Sequence, residues 1–126
     1  MTVFRLFLAA CFLAILAYTA VTVAHHGWAL LPVFFGDMRA MTWPGQFNFD
    51  FFTFLLLSGL WTAWRNDFSA AGIALAVVAI FGGMLFLSAY LLWLSYRVRD
   101  FGELAAGANR TARAQAGGGG AEGRSA

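Results

Sequence analysis

Three long stretches of the chain contain no charged residue, and polar segments separate them. At about 1.5 Å rise per residue, a helix of about 20 apolar residues crosses a hydrocarbon core of about 30 Å. With the residues that bound them, the stretches predict transmembrane helices over residues 2–24, 48–65 and 70–96. The predicted fold class is therefore all-α: an integral membrane bundle of three transmembrane helices, with residues 1–97 as its membrane domain.

Tryptophan positions support these boundaries. The span interiors use mainly Phe, Leu, Ala and Val, and the tryptophans lie near the predicted ends, at Trp28, Trp43, Trp61, Trp64 and Trp93. Indole rings favour the headgroup depth of a bilayer. Asn48 or Asp50 is expected to cap the second span, and Ser69 the third.

The connection between the first two spans is unusually apolar. Trp28–Phe35 is too short to cross a bilayer, and Pro32 is expected to interrupt a helix there. We expect this segment to lie along the headgroup region. Trp43-Pro44-Gly45 is predicted to be a turn that precedes the second span.

The last part of the chain, residues 98–126, is polar and rich in Gly and Ala, with four consecutive glycines at Gly117–Gly120. Such a segment cannot bury enough apolar surface to offset the entropy lost on ordering. We therefore predict a disordered tail.

Composition narrows the range of functions. Hydrophobic residues make up 61% of the chain, well above the soluble norm of roughly half, and the net charge of +2 arises from scattered arginines. Nucleic-acid binding would require basic residues clustered on one face, so no nucleic-acid partner is expected. Cys11 is the single cysteine, which excludes an intrachain disulfide.

The arginine distribution predicts an orientation. Three spans place Arg5 and Arg65 on one side, and Arg39, Arg97 and Arg99 on the other, with Arg110 and Arg113 a little further out. Because arginine excess marks the cytoplasmic side, the tail and the 25–47 connection are predicted to be cytoplasmic and the N-terminus outside, in a cell inner membrane. Cleavage after Ala24, as in a signal peptide, is the alternative for the first span.

Small residues predict how the spans pack, because helices in lipid associate by close approach. One face of the third span carries Gly72, Ala76, Ala79 and Gly83, and the second span offers Ser58, Gly59 and Ala63. We expect these faces to meet within one chain, with a dimer interface as the alternative. Gly82 and Gly83 together permit a bend.

Few residues carry candidate chemistry. Asp50, an acid at the start of the second span, is a candidate for ion or proton handling or a helix-start residue. His25 and His26 could ligate haem or metal only with ligands from a partner, since adjacent side chains diverge on a helix. Arg97 and Arg99 are expected to anchor lipid headgroups.

Several of these features resemble a known group. Asp50-Phe51-Phe52 opens the second span, Trp61-x-x-Trp64-Arg65 closes it, and a glycine-bearing span with Tyr90 follows. Over about Thr42–Tyr96 the chain is similar to small uncharacterised multi-pass membrane proteins of bacterial and plant domain-of-unknown-function families. The resemblance implies a compact helical membrane protein and supplies no catalytic residue.

The sequence contains no nucleophile elbow, phosphate-binding glycine loop or metalloprotease helix. We therefore expect no enzyme, no cofactor and no metal, but an accessory subunit, assembly factor or scaffold of a larger membrane complex. An oligomeric minimal transporter or channel that uses Asp50 is one alternative. A haem- or quinone-associated electron-transfer subunit that uses His25 or His26 is the other.

Overall fold

A computed structural model describes residues 1–122 of the chain. All regular structure in this range is helical, which confirms the predicted all-α class. The helices are α1 Thr2–His26, α2 Leu30–Ala40, α3 Trp43–Arg65, α4 Ala70–Ser95, α5 Phe101–Ala106 and α6 Ala108–Glu122.

Two of these helices, α1 and α4, are long and apolar enough to cross a membrane. Only 6% and 17% of the residues in their most apolar windows are buried inside the protein. Helix α3, the second predicted span, does not meet the same criterion, because Gln46, Asn48 and Asp50 lower its hydropathy. By length and composition the described chain thus has two candidate spans, not three.

Helix α4 reverses its direction at Gly83, where the backbone has φ 56° and ψ −142°. This conformation is accessible in practice only to glycine. Distances on both sides of Gly83 establish the reversal. A Cβ added to Gly72 would lie 2.7 Å from Cβ of Asn66, and the Asn66 side-chain amide donates a hydrogen bond of 2.9 Å to the Tyr90 hydroxyl.

A straight helix would separate Gly72 and Tyr90 by about 27 Å. Their shared contact with Asn66 requires the chain to fold back. The two arms, 70–82 and 84–95, are about 20 and 18 Å long, each shorter than a hydrocarbon core of about 30 Å. A single continuous helix over 70–96, which the third predicted span assumed, is therefore wrong, although α4 meets the criterion of length and composition. The bend that Gly82 and Gly83 permit is present, as a full reversal.

The start of α3 also differs from the prediction. The helix begins at Trp43 with Pro44 in its first turn, so Trp43-Pro44-Gly45 is a helix start and not a turn. Proline suits this position, because its fixed φ is helical and the missing N–H would lack a helical partner. Neither Asn48 nor Asp50 caps the helix, whereas Ser69 does cap α4, accepting a hydrogen bond from the Gly72 amide.

The apolar connection forms helix α2, with Pro32 in its first turn, where the same reasoning applies. It packs against the beginning of α3. A Cβ at Gly45 would overlap the Asp37 carbonyl, so the two helices meet backbone to backbone. The Asn48 amide lies 3.3 Å from both the Phe34 carbonyl and the Asp37 carboxylate, to which it donates hydrogen bonds.

Helix α1 packs against α4 through its first half only. Leu8 is buried, whereas the side chains of residues 13–22 are exposed. The N-terminal end of α1 lies at the end of the second α4 arm: the Arg5 guanidinium donates a 3.0 Å hydrogen bond to the Ser95 hydroxyl.

The predicted disordered tail is wrong for Phe101–Glu122, which forms α5 and α6. The prediction from composition did not take the helix cap into account: Asp100 accepts a hydrogen bond from the Glu103 amide and caps α5. The prediction also did not anticipate that Leu104 would be buried, with only 4% of its surface exposed. Residues 123–126 of that predicted tail lie outside the described range.

The reversal of α4 also determines which end of the molecule the tail occupies. Residues 95–101, which lead into the tail, contact the N-terminal residues Phe4 and Arg5. The tail therefore lies at the same end of the molecule as the N-terminus, whereas the 25–47 connection lies at the other end. The prediction that the tail and this connection share a membrane side assumed one straight α4, which the backbone at Gly83 contradicts. The membrane side of each segment stays a prediction.

We expect the reversal to be measurable as a distance. Spin labels on the exposed residues of an Ala70→Cys/Ala89→Cys variant, with Cys11→Ala, would lie about 28 Å apart along one continuous helix. Because the arms fold back, we expect less than about 20 Å. A Val3→Cys/Thr22→Cys pair in α1 has the same sequence separation and should report about 28 Å. Equal distances for both pairs would refute the reversal.

Candidate functional site

The arms of α4 bring one end of α3, the start of α1 and helix α5 together around a small apolar cluster. Its buried members are Tyr90, Leu94 and Leu104, with Phe4 and Trp61 packed against them. The Trp61 and Tyr90 rings meet edge to face, with their centroids 6.3 Å apart. Aromatic pairs prefer this arrangement. Residues far apart in the sequence therefore form one structural unit here.

Asn66, directly after α3, ties the reversed arm to this unit. Its side-chain amide donates to the Thr62 carbonyl at 2.8 Å as well as to the Tyr90 hydroxyl. Thr62 is fully buried and Tyr90 is 8% exposed. Both hydrogen bonds are partly buried, so losing a partner costs more than at an exposed surface.

The last carbonyls of α5 are capped by side chains of α3. Nε of Arg65 donates to the Leu104 carbonyl at 2.6 Å, and Nε1 of Trp61 donates to the Ala105 carbonyl at 3.1 Å. Helix ends leave such carbonyls without helical partners, and a cation is favourable at the negative end of a helix dipole. These contacts hold α5 against the C-terminal end of α3.

The start of α6 is held by a second arginine. Nη2 of Arg110 lies 3.1 Å from the Asp67 carboxylate and 2.9 Å from the Trp64 carbonyl, and its guanidinium stacks over the Trp64 ring. A small polar cleft of about 280 Å³ lies beside it, lined by Arg65, Asn66, Asp67 and residues 106–109.

Exposed arginines and aromatic rings share this end of the molecule. Arg97 and Arg99 are exposed, and the Arg97 guanidinium stacks over the Trp93 ring at 4.3 Å. Arg5 stacks over Tyr96 at 4.0 Å. We call this surface, formed by Arg5, Trp93, Tyr96, Arg97 and Arg99, the basic aromatic end.

A groove of about 460 Å³ runs between α3 and the second arm of α4. Apart from Ser58, side chains from apolar residues and the backbone of Gly83 line it; they are Phe51, Phe54, Leu55, Leu57, Trp61, Met84, Leu87 and Leu91. The Ser58 hydroxyl is buried and has no hydrogen-bond partner within the described residues. The groove is therefore an apolar surface with one unpaired polar atom.

Asp50 lies away from this groove. It is exposed about two turns inside α3, and its carbonyl accepts a 2.7 Å hydrogen bond from the Thr53 hydroxyl. The helix-start interpretation of Asp50 is wrong, because α3 begins seven residues earlier, at Trp43.

His25 and His26 form the last turn of α1, with ring centroids 6.5 Å apart, and both are exposed. Across residues 1–122, no three His, Cys, Asp or Glu side chains come close enough to hold a metal ion.

The small-residue faces of α3 and α4 meet closely. A Cβ on Gly59 would lie 2.8 Å from the Ile80 side chain and 3.2 Å from the Ala76 carbonyl. Ala63, Gly72 and Ala79 are also buried. Gly83 leaves this face, since it forms the reversal and faces Phe51 and Leu55 of α3.

Sequence reasoning missed the residues that build the end of the molecule. Asn66, Tyr90 and Leu104 looked like loop, interfacial and tail residues. One local signal was available: Asp100 and Glu103 stand at the spacing of a helix cap, immediately before Leu104. The partners of Asn66 and Arg65 had no local signal, because they are 24 and 39 residues away.

Comparison with known proteins identifies no relative: no family model matches the chain, and no curated protein or solved structure shows significant similarity. The resemblance to domain-of-unknown-function membrane families therefore stays a prediction.

We expect Leu104→Ala to release α5. Truncating a buried leucine costs about 2–5 kcal/mol, and α5 has few other apolar contacts. Hydrogen–deuterium exchange of the amides in residues 101–106 should become much faster. Leu60→Ala, on an exposed part of α3, is the control and should leave this exchange unchanged. Unchanged protection in Leu104→Ala would show that hydrogen bonds alone hold α5.

Proposed function

We propose that this protein is a membrane-embedded, non-enzymatic accessory subunit or scaffold, which binds a transmembrane helix of a larger complex in the groove between α3 and α4. The location proposed is a cell inner membrane, with α1 as one crossing and α3, whose 23 residues span about 34 Å, as the second. The two arms of α4 enter and leave the membrane on the same side.

Exposure of the apolar helices supports a membrane location. The core helix of a soluble protein hides its apolar side chains, whereas Leu13, Val21, Val77 and Phe81 are each about half exposed or more. Exposing so much apolar surface to water would be costly, at about 25 cal/mol per Å². Lipid removes that cost.

The groove is the single observation that carries the proposed role. Its apolar walls suit the side chains of a helix in lipid, where helices associate by van der Waals packing.

A groove-filling substitution tests this role. We expect Leu87→Trp to reduce co-migration of partner proteins at least tenfold after purification in mild detergent, because the larger side chain occupies the groove. Leu60→Trp, on α3 outside the groove, is the matched control and should retain them.

Three outcomes would contradict the proposal. A solitary monomer of the parent protein at native expression would contradict the accessory role, and full retention of partners by Leu87→Trp would place binding elsewhere. Recovery of the parent in plain buffer without detergent would contradict the membrane location itself.

The transporter alternative depends on Asp50, whose exposed position would require a path between copies of the chain. Under our proposal, liposomes with the parent and with Asp50→Asn should show the same low ion flux as empty liposomes. A flux that the parent supports and Asp50→Asn abolishes would favour the transporter.

A further inference from the structure

We infer that the basic aromatic end lies in the anionic headgroup region of the cytoplasmic leaflet, so that the N-terminal residues, the 65–69 loop and helices α5 and α6 all face the cytoplasm. The partner of this surface is anionic phospholipid. The inference rests on the proposed membrane location and extends it to an orientation and a ligand class.

The reversal at Gly83 places most of the arginines at one end of the molecule. A single crossing by α4 would place Arg65 and Arg97 on opposite sides of a membrane. In the structure, Arg65 binds the α5 carbonyls and Arg97 follows the returning arm, so both lie at one end. Within the described residues, that end holds Arg5, Arg65, Arg97, Arg99 and Arg110 together with Asp67, Asp100 and Glu103, and the other end holds Arg39 together with Asp37 and Asp50.

This distribution assigns the sides. Lys/Arg excess in short loops and near span ends marks the cytoplasmic face, and acidic residues contribute little to that bias. Five of these six arginines lie at one end, whereas a straight α4 would divide them four against two. The assignment therefore reverses the side predicted for the N-terminus and for the 25–47 connection.

The side chains at this end suit a lipid headgroup layer. Trp93 and Tyr96 are 51% and 69% exposed, which in water would leave large aromatic surfaces uncovered. Aromatic rings of this kind favour the interface of a bilayer. Arg97 stacks on Trp93 and is exposed, as is Arg99, so their guanidinium groups remain available to lipid phosphates.

Several arginines at this end are already engaged within the protein. Arg5, Arg65 and Arg110 donate hydrogen bonds to Ser95, to α5 carbonyls and to Trp64. Arg97 and Arg99 are therefore the residues that select anionic lipid, while the other three contribute mainly to orientation.

Thiol labelling of intact cells tests the orientation. In a Cys11→Ala background, Ala40→Cys, Ala70→Cys and Ala108→Cys each place a thiol at an exposed alanine. We expect a membrane-impermeant maleimide to label Ala40→Cys directly, and Ala70→Cys and Ala108→Cys only after permeabilisation.

Labelling of Ala70→Cys and Ala108→Cys from opposite sides would overturn the inference, as would protection of Ala40→Cys. If the chain were not embedded in the membrane, carbonate washing would strip it from vesicles, which would separate a failure of the proposed location from a failure of the orientation.

Lipid retention tests the ligand class. Parent protein purified from vesicles of equal phosphatidylglycerol and phosphatidylcholine should retain more of the anionic lipid. Each arginine near a membrane surface contributes about fivefold to such binding, so Arg97→Gln/Arg99→Gln should lower the preference by roughly one order of magnitude or more. Arg39→Gln, at the other end, should leave it within twofold. An unchanged preference in the double variant would exclude these arginines as the anionic-lipid surface.

Discussion

The reversal of the backbone at Gly83 is the constraint on which the rest of the structure depends. Its φ and ψ exclude a side chain, and the two arms that it joins are too short to cross a bilayer separately. Because the second arm returns along α3, Tyr90 reaches Asn66 and Leu94 reaches Leu104. Without the reversal, the end of the molecule around these residues would not form.

Packing between α3 and the first α4 arm depends on small residues. Gly59, Thr62 and Ala63 lie against a face with Ala76 and Ala79, where even a methyl group at Gly59 would contact the opposite backbone. In lipid such close approach replaces the hydrophobic effect as the source of association. The groove opens on the other arm, where larger side chains keep the helices apart.

Side chains at the end of the molecule provide hydrogen bonds to the last backbone carbonyls of α5. Helix α5 is short, and its last carbonyls would be costly to leave without partners near an apolar layer. Arg65 and Trp61 donate to them, and Asn66 links the returning arm to α3. The arginines and aromatic rings proposed to contact lipid headgroups, such as Arg97 and Trp93, lie beside this set of residues.

The sequence by itself determined the all-helical class, the cap at Ser69 and a possible bend at Gly82 and Gly83, because periodicity, capping and glycine content act over a few neighbouring residues. It could not determine that the bend is a reversal or that Leu104 docks into a core. Those outcomes depend on contacts between residues 24 to 90 positions apart, such as Asn66 with Tyr90 and Arg5 with Ser95. Only the tertiary structure brings such residues together, and with them it decides which end of the molecule carries the charge.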